Sequence, residues 1–359
     1  MSHHLALLVP DLRVGGAQRV MLYLAGRFAA AGHRVDVLAF HDGPLVAEVP
    51  DSVRWVPLKT AGGVQSVRHL ARWLDAERPA ALLSSVTGAN LVAVAARALC
   101  RHRPHLVLRE AVTLANVRSP LRLAAMRLLY PRADAVVALS PVMATEIQKR
   151  LGVARERIHY LPNPVDAARL AQQAREPLDH PFAAEADRLL VTAGRLIPQK
   201  DHATLLEAFA RIDPRLGARL AILGDGPERS RLEARAAALG ITANVCFAGF
   251  EANPWRWIRR ARGFVLSSRW EGHPNALIEA LALGRPAVCT GYDASAECLG
   301  SDGRVRVVPV ADPKALAEAM VALLKTPPSP PTLAPPGDDS VSGYLHLLCT
   351  ARPLPTRSP

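Results

Sequence analysis

The chain has 359 residues, half of them hydrophobic, and a mean hydropathy of +0.10, which predicts about two domains with sizeable buried cores. No window resembles an uninterrupted membrane-spanning helix, and five cysteines without C-x-x-C spacing argue against a disulfide framework or a zinc site. The net charge of +12 is uneven: residues 1–180 carry 23 Lys+Arg against 14 Asp+Glu, and residues 181–359 carry 21 against 18. A basic first half points to nucleic acid, an anionic membrane surface or a phosphorylated substrate. Only 5% of residues are aromatic and no stacking motif is visible, which argues against nucleic acid. Residues 1–9 run into a strand with no signal-peptide cleavage pattern, so a reducing, cytoplasmic location is expected.

An apolar run at residues 4–9, a loop to Gly16, helical spacing over 17–31 and a second apolar run at 35–40 make a strand–loop–helix–strand unit. That is the opening of a parallel α/β sheet. Strands are expected next at 53–57, 80–84, 105–109, 135–139 and 158–161, alternating with helices at 64–77, 89–100, 118–130 and 141–151. Pro162-Asn163-Pro164 closes this first domain, residues 1–165, and a polar, helix-tending stretch bridges onward to about residue 187. A second domain, residues 186–325, repeats the alternation. Its strands fall at 189–193, 219–223, 245–248, 264–267, 287–290 and 305–308, and its helices at 201–212, 227–239, 255–261, between Pro274 and Gly284, and at 313–324. Residues 326–359 read as a proline-rich linker and a helix, 340–349, returning to the first domain. The expected class is α/β: two successive α/β/α domains facing a central cleft.

The most informative stretch is Glu271-Gly-His-Pro-Asn-Ala-Leu-Ile-Glu279, followed by Gly284 and Pro286. It reads as a loop entering a short buried helix, with Pro274 in the first turn and Gly284 as the stop. Residues 276–283 are apolar except for Glu279. A carboxylate there must be paired or have shifted its pKa, because burying it alone costs too much. Glu271 stands just ahead of the helix N-terminus, where unpaired backbone N–H groups form an anion site. Two carboxylates flanking an anion site suit a nucleotide-sugar. An arginine salt bridge to Glu279 and a solvated Glu271 would explain the same residues structurally.

Strand 189–193 ends in Gly194-Arg195, with Lys200 beyond a proline-stiffened turn. Ligands in open α/β sheets sit at the carboxyl ends of strands, and an arginine fork with a lysine point charge suits a diphosphate. The following strand ends in Gly224-Asp225-Gly226-Pro227, a tight turn at the same edge, with Arg229 either joining the phosphate group or solvated. In the first half, Gly15-Gly16 lets backbone approach a ligand at a helix N-terminus, but the G-x-G-x-x-G dinucleotide fingerprint is absent. No D-x-D pair or histidine cluster supports a metal bridging two phosphates. Residues 97–132 hold eight arginines against the single acid Glu110, and residues 118–130 form a basic amphipathic segment. It is either an ordinary surface helix or one that lies on an anionic bilayer. Arg109 and Glu110 end a strand and are candidate acceptor contacts or a structural pair.

Taken in order, Gly15-Gly16-Ala17-Gln18-Arg19, Pro162-Asn163-Pro164-Val165-Asp166, Gly194-Arg195 with Lys200, Gly224-Asp225-Gly226-Pro227 and Glu271-x7-Glu279 resemble the motifs of retaining glycosyltransferases of family 4. The resemblance covers most of residues 5–325 and implies a GT-B fold of two Rossmann-like domains. It further implies that Arg195 and Lys200 bind a donor diphosphate, that Glu279 binds ribose hydroxyls and that Glu271 contacts the donor sugar. By the same resemblance Gly16, Gly194 and Gly224 line the donor site, with backbone of His273, Pro274, Asn275 and Ala276 near sugar and phosphate. Glu271, Arg195 and Lys200 form the implied catalytic set. His273 departs from the aromatic residue expected after Gly272. The implied reaction moves a hexosyl unit from a nucleoside-diphosphate sugar, UDP favoured, to a saccharide or lipid-linked saccharide, without metal or cofactor and with retention. The acceptor places the enzyme in polysaccharide or lipopolysaccharide assembly, in the cytoplasm with peripheral contact at the inner membrane face and without nucleic acid. A GT-B nucleotide-sugar epimerase and a noncatalytic membrane- or polyanion-binding protein are the rival readings.

Overall fold

The first strand, β1 (His4–Asp11), is apolar on both faces and buries Leu5, Ala6, Leu7 and Leu8 completely. Such a strand needs cover on both sides, which a parallel sheet between helices provides. The computed structural model describes residues 2–13, 15–60, 62–111, 113–114, 117, 119–293, 303–327 and 338–350, and builds two such sheets. In the first, β1 is joined by β2 (Arg34–His41), β3 (Arg54–Pro57), β4 (Ala81–Ser85), β5 (His105–Arg109), β6 (Ala135–Ala138) and β7 (Ile158–Tyr160). Their order is β3-β2-β1-β4-β5-β6-β7, with every pairing parallel. The connecting helices are α1 (Gly16–Ala30), α2 (Gly63–Glu77), α3 (Thr87–Leu99), α4 (Pro120–Leu129) and α5 (Pro141–Leu151).

The second sheet contains β8 (Leu189–Ala193), β9 (Arg219–Leu223), β10 (Val245–Gly249), β11 (Gly263–Leu266), β12 (Ala287–Thr290) and β13 (Val305–Val308), in the order β10-β9-β8-β11-β12-β13. Its helices are α6 (Ala167–Gln173), α7 (His202–Phe209), α8 (Arg229–Ala238), α9 (Trp255–Arg260), α10 (Asn275–Ala282) and α11 (Pro313–Lys325). From β8 the chain winds outward through β9 and β10, then crosses back to β11 on the other side of β8. The carboxyl ends of β8 and β11 therefore flank the point where strand order reverses, the usual ligand position in such sheets.

Met1–Pro164 and Pro336–Pro359 form one compact unit, Val165–Pro335 the other. The stretch expected only to bridge the domains belongs to the second: α6 and a 3-10 helix (Pro181–Arg188) occupy it, and Leu170 and Ala174 enter that unit's core. The last helix, α12 (Asp338–Cys349), places Val341, Tyr344 and Leu348 in the core of the first unit. Gly343 lets it sit close, since a Cβ there would lie 2.6 Å from Leu161 Cδ2. The helix expected over 118–130 begins later, because Pro120 is tolerated only in a first turn and the Ser119 hydroxyl caps it by accepting from Arg122 N–H. Arg118 and most of the linker at 326–339 lie outside the described residues. Among the described residues no helix is long and apolar enough to cross a membrane.

Arg109 and Glu110, read as candidate acceptor contacts at a strand end, have no exposed surface. Arg109 donates to Ser85 Oγ at 2.6 Å and to Asn163 Oδ1, and stands beside the buried Tyr344 hydroxyl of α12. Glu110 accepts from the hydroxyls of Thr87, at 3.1 Å, and Tyr130. Burial, then the Glu110 charge, pushes the Tyr130 pKa well up, so its hydroxyl keeps the proton it donates. Both side chains are thus held inside the first unit, Arg109 against Asn163 and Tyr344 of α12 and Glu110 against Thr87 and Tyr130. Removing the donor with Tyr130→Phe leaves a buried carboxylate short of a hydrogen bond, and we expect a loss of about 2 kcal/mol. Urea unfolding of the variant measures this; an unchanged midpoint would show that Glu110 does not depend on Tyr130.

Candidate functional site

The loops after β8 and β11 are sewn together. Lys200 Nζ lies 2.5 Å from Glu271 Oε1, and the same oxygen accepts from Ser268 Oγ at 2.6 Å. Gln199 donates its side-chain amide to Trp270 O at 2.9 Å and, more weakly, to Glu271 Oε2 at 3.4 Å. The backbone N–H of Arg269 reaches Gln199 O at 2.8 Å, its guanidinium pairs with Asp201 at 3.0 Å, and Ser267 Oγ donates to Lys200 O at 2.8 Å. Glu271 is 5% exposed, so it is an enclosed, fully partnered carboxylate rather than a solvated one. Asp201 adopts φ +46 and caps α7, turning the chain from the Lys200 loop into the helix. The neighbouring His202 is buried, and burial first, then the Lys200 charge, pushes its pKa down to about 3. It is neutral at physiological pH, which leaves Lys200, Arg195 and Arg269 as the cations here. Arg195 is exposed, and its backbone oxygen accepts from Ile197 N–H at 2.9 Å.

Glycines bring the β9 loop into the same group. A Cβ on Gly224, at φ +142, would sit 2.0 Å from Gly194 O, and one on Gly226 would sit 2.5 Å from Leu196 O. Those positions are glycine because two backbones touch there. Gly194 N–H donates to Leu223 O at 2.9 Å and Leu196 N–H to Asp225 O at 3.0 Å, fixing one loop against the other. Arg229 donates to Phe247 O at 3.1 Å and to Glu233 at 2.8 Å, and its guanidinium lies 3.9 Å from Asp225 of this loop.

The α10 helix starts one residue later than a first-turn Pro274 would give, with Pro274 at its N-cap and Gly284 at φ +73 ending it. Leu277 and Ile278 N–H return to Pro274 O, Asn275 N–H turns back on His273 O at 3.0 Å, and Ala276 N–H has no backbone acceptor among the described residues. His273 Nδ1 lies 3.0 Å from Asn275 Oδ1. One turn in, Glu279 Oε2 accepts from Trp255 Nε1 at 2.8 Å. A partner for the carboxylate on this apolar helix is thus supplied from outside it, by an indole of α9.

The second unit therefore gathers Gly194, Lys200, Gly224, Glu271, the 273–276 turn and Glu279 along the carboxyl edge of one sheet, with acids, cations and helix N-terminal amides side by side. Such an edge can neutralise an anion with Lys200 and backbone amides while carboxylates accept from hydroxyls. Gly16, Arg109 and Glu110 lie in the first unit. There Asp11 orders the loop ahead of Gly16, accepting from Arg13 and Gln18; burial alone would raise its pKa, but these bonds hold it below the usual range. Arg19 of the same motif pairs with Glu48 at 3.2 Å. Sequence reasoning missed Gln199, Ser268, Arg269 and Trp255. Their signal was only proximity to Lys200 and Glu271, or, for Trp255, a large aromatic opening a very short helix.

Two family models match the chain: Glycosyltransferase Family 4 over residues 14–169 and Glycosyl transferases group 1 over residues 187–326. The N-acetylgalactosamine-N,N'-diacetylbacillosaminyl-diphospho-undecaprenol 4-alpha-N-acetylgalactosaminyltransferase of Campylobacter jejuni is 28% identical over 243 residues, which are 66% of this chain and 64% of that protein's length. The lipopolysaccharide core biosynthesis glycosyltransferase LpsE of Rhizobium meliloti is 29% identical over 62% of this chain and 67% of its own. Among solved structures, Anabaena Alr3699/HepE in complex with UDP superposes with a TM-score of 0.76 at 19% identity, covering 98% of both chains. WaaG, a glycosyltransferase involved in lipopolysaccharide biosynthesis, gives 0.69 at 18% identity over 97% of this chain and 95% of its own. At these identities the structural likeness speaks for the fold, two Rossmann-like α/β domains of GT-B type. Over the matched residues, which take in the greater part of both units, the chain belongs to the glycosyltransferases of family 4.

Proposed function

We propose that the protein is a retaining glycosyltransferase that moves a hexosyl unit from a UDP-sugar to a saccharide or lipid-linked saccharide in lipopolysaccharide or polysaccharide assembly. One observation carries this reading: Lys200 and Glu271, delivered by neighbouring strand ends, meet beside the N-terminus of α10, with Glu279 one turn inside it. In this reading Lys200 and Arg195 take the donor diphosphate, together with the Ala276 amide. Glu279 accepts from the ribose hydroxyls and Glu271 from the hexose. UDP is favoured because structural relatives bind it: Alr3699/HepE is described in complex with UDP and with UDP-glucose. A lipid-linked acceptor is favoured by the diphospho-undecaprenol in the name of the Campylobacter relative.

The chemistry proposed needs no metal. As the bond from the anomeric carbon to the diphosphate oxygen breaks, negative charge grows on the leaving diphosphate, where Lys200, Arg195 and the helix N-terminus stabilise it. The acceptor hydroxyl attacks from the same face, and the diphosphate oxygen takes its proton. The first unit is assigned the acceptor. NMR of UDP-hexoses incubated with the protein and a chelator tests this. The α-anomer should form first, whether as hydrolysed sugar or as product, at a rate the chelator does not alter. First formation of the β-anomer, or turnover abolished by chelation, would contradict it.

Contact with an anionic membrane belongs to the same proposal. On α4, Leu121 is 84% and Leu128 61% exposed, seven residues apart and so on one face, with exposed Arg122 and Arg127 alongside. We expect a Leu121→Glu/Leu128→Glu variant to float several-fold less with phosphatidylglycerol-rich vesicles while binding UDP as before. Unchanged flotation would assign these leucines no membrane role.

A further inference from the structure

The carboxylate of Glu279 is held by an element the site does not otherwise use. Trp255, the first residue of α9, donates its indole N–H to Glu279 Oε2 at 2.8 Å. The indole itself has little freedom. It is 7% exposed and packs in a core cluster with Trp257, Leu277 and Leu281. The Arg169 guanidinium lies 5.8 Å from the ring centroid, within cation–π range. Arg169 belongs to α6, which is fixed in turn: Asp166 caps it by accepting from Arg169 N–H at 3.0 Å, and Asn253, just ahead of α9, donates to Gln173 O at 2.8 Å. Three short helices, α6, α9 and α10, thus meet around this indole.

A glutamate on a helix surface has several rotamers, and ordering it on binding costs affinity. A charge-assisted hydrogen bond from an immobile indole removes most of that choice beforehand. We propose that Trp255 is a positioning residue for nucleotide recognition: it presets the Glu279 carboxylate in the orientation that accepts the ribose hydroxyls. It touches no substrate atom. The inference rests on the reading that Glu279 binds ribose, and so predicts an effect on donor binding that depends on those hydroxyls and on Glu279 itself.

Calorimetric titration of UDP and of 2′,3′-dideoxy-UDP into wild type, Trp255→Phe, Glu279→Ala and the double variant tests it. Trp255→Phe keeps an aromatic ring and removes the donor. It should weaken UDP binding about tenfold, raise the donor KM by a similar factor and leave kcat nearly unchanged. It should leave dideoxy-UDP binding unaltered, and add nothing in the Glu279→Ala background. Equal losses for UDP and dideoxy-UDP, or additive losses in the double variant, would mean that Trp255 only supports the fold and would overturn the inference. Loss of UDP binding in Glu279→Ala with none in Trp255→Phe would overturn it while leaving the ribose assignment standing. Wild-type UDP binding in Glu279→Ala would overturn the ribose assignment, and this inference with it. Should Trp255→Phe fold poorly, benzothienylalanine at position 255, which replaces the N–H by sulfur at constant shape, carries the same expectations.

Discussion

The contact on which the candidate site depends is the ion pair between Lys200 and Glu271. These residues are far apart in sequence and are carried by loops that leave β8 and β11, adjacent strands of the second sheet. With Glu271 only 5% exposed, neither loop is free to choose its own geometry. A buried carboxylate without its cation would be costly, so the pair, the Ser268 and Gln199 hydrogen bonds and the Asp201–Arg269 bridge hold as a group. The same group aligns the start of α10, four residues beyond Glu271. Fixing the loops before a ligand arrives is what a site for charge stabilisation needs, since donors already in place need not reorganise as charge develops. An anion entering between Lys200 and the α10 N-terminus would meet a cation already oriented by its carboxylate partner.

Much of the fold was legible because its strands are apolar on both faces and its helices announce their ends. The strands β5, β8, β9, β12 and β13 and the helix α5 lie where hydrophobic runs, caps and glycines put them. Boundaries slipped where one residue overrules periodicity, as Pro120 does at α4. The site was legible as a set of strand-end motifs but not as an assembly. Nothing in the spacing of Lys200 and Glu271 says that the chain, having gone outward through β10, returns to the other side of β8. Likewise a lone glutamate on an apolar helix demands a partner, yet only the packing of α9 against α10 makes that partner Trp255. Strand-end position left Arg109 and Glu110 open as acceptor contacts or a structural pair; both are buried, Arg109 against Asn163 and Tyr344 and Glu110 against Thr87 and Tyr130. For Gly224 only a tight turn was legible in the sequence; its close approach to the Gly194 backbone of its own unit was not.

The two units divide their polar chemistry differently. In the first, buried polar residues such as Glu110, Tyr130 and Asn90 hydrogen-bond one another inside the core, while exposed arginines and leucines mark α4. In the second, acids and cations are concentrated at one sheet edge and tied by short loops. That contrast matches the uneven charge of the chain, with its basic excess in the first half. It also fits a donor gripped by directional contacts and an acceptor surface governed more by charge and apolar area.

The central claim, that the carboxyl edge of the second sheet holds a nucleoside-diphosphate donor, is tested most directly by thermal shift. Wild type, Lys200→Met and Glu279→Ala would be compared against UDP, GDP, ADP and their sugar conjugates without added metal. Binding to the folded state raises the melting temperature by mass action, equivalent to about 2.7 kcal/mol at one hundred times Kd. The account predicts a clear shift with UDP or a UDP-sugar in the wild type that is lost in both variants, after correction for their own melting temperatures. A folded protein that no nucleotide stabilises, or a UDP shift that both variants retain, would contradict it.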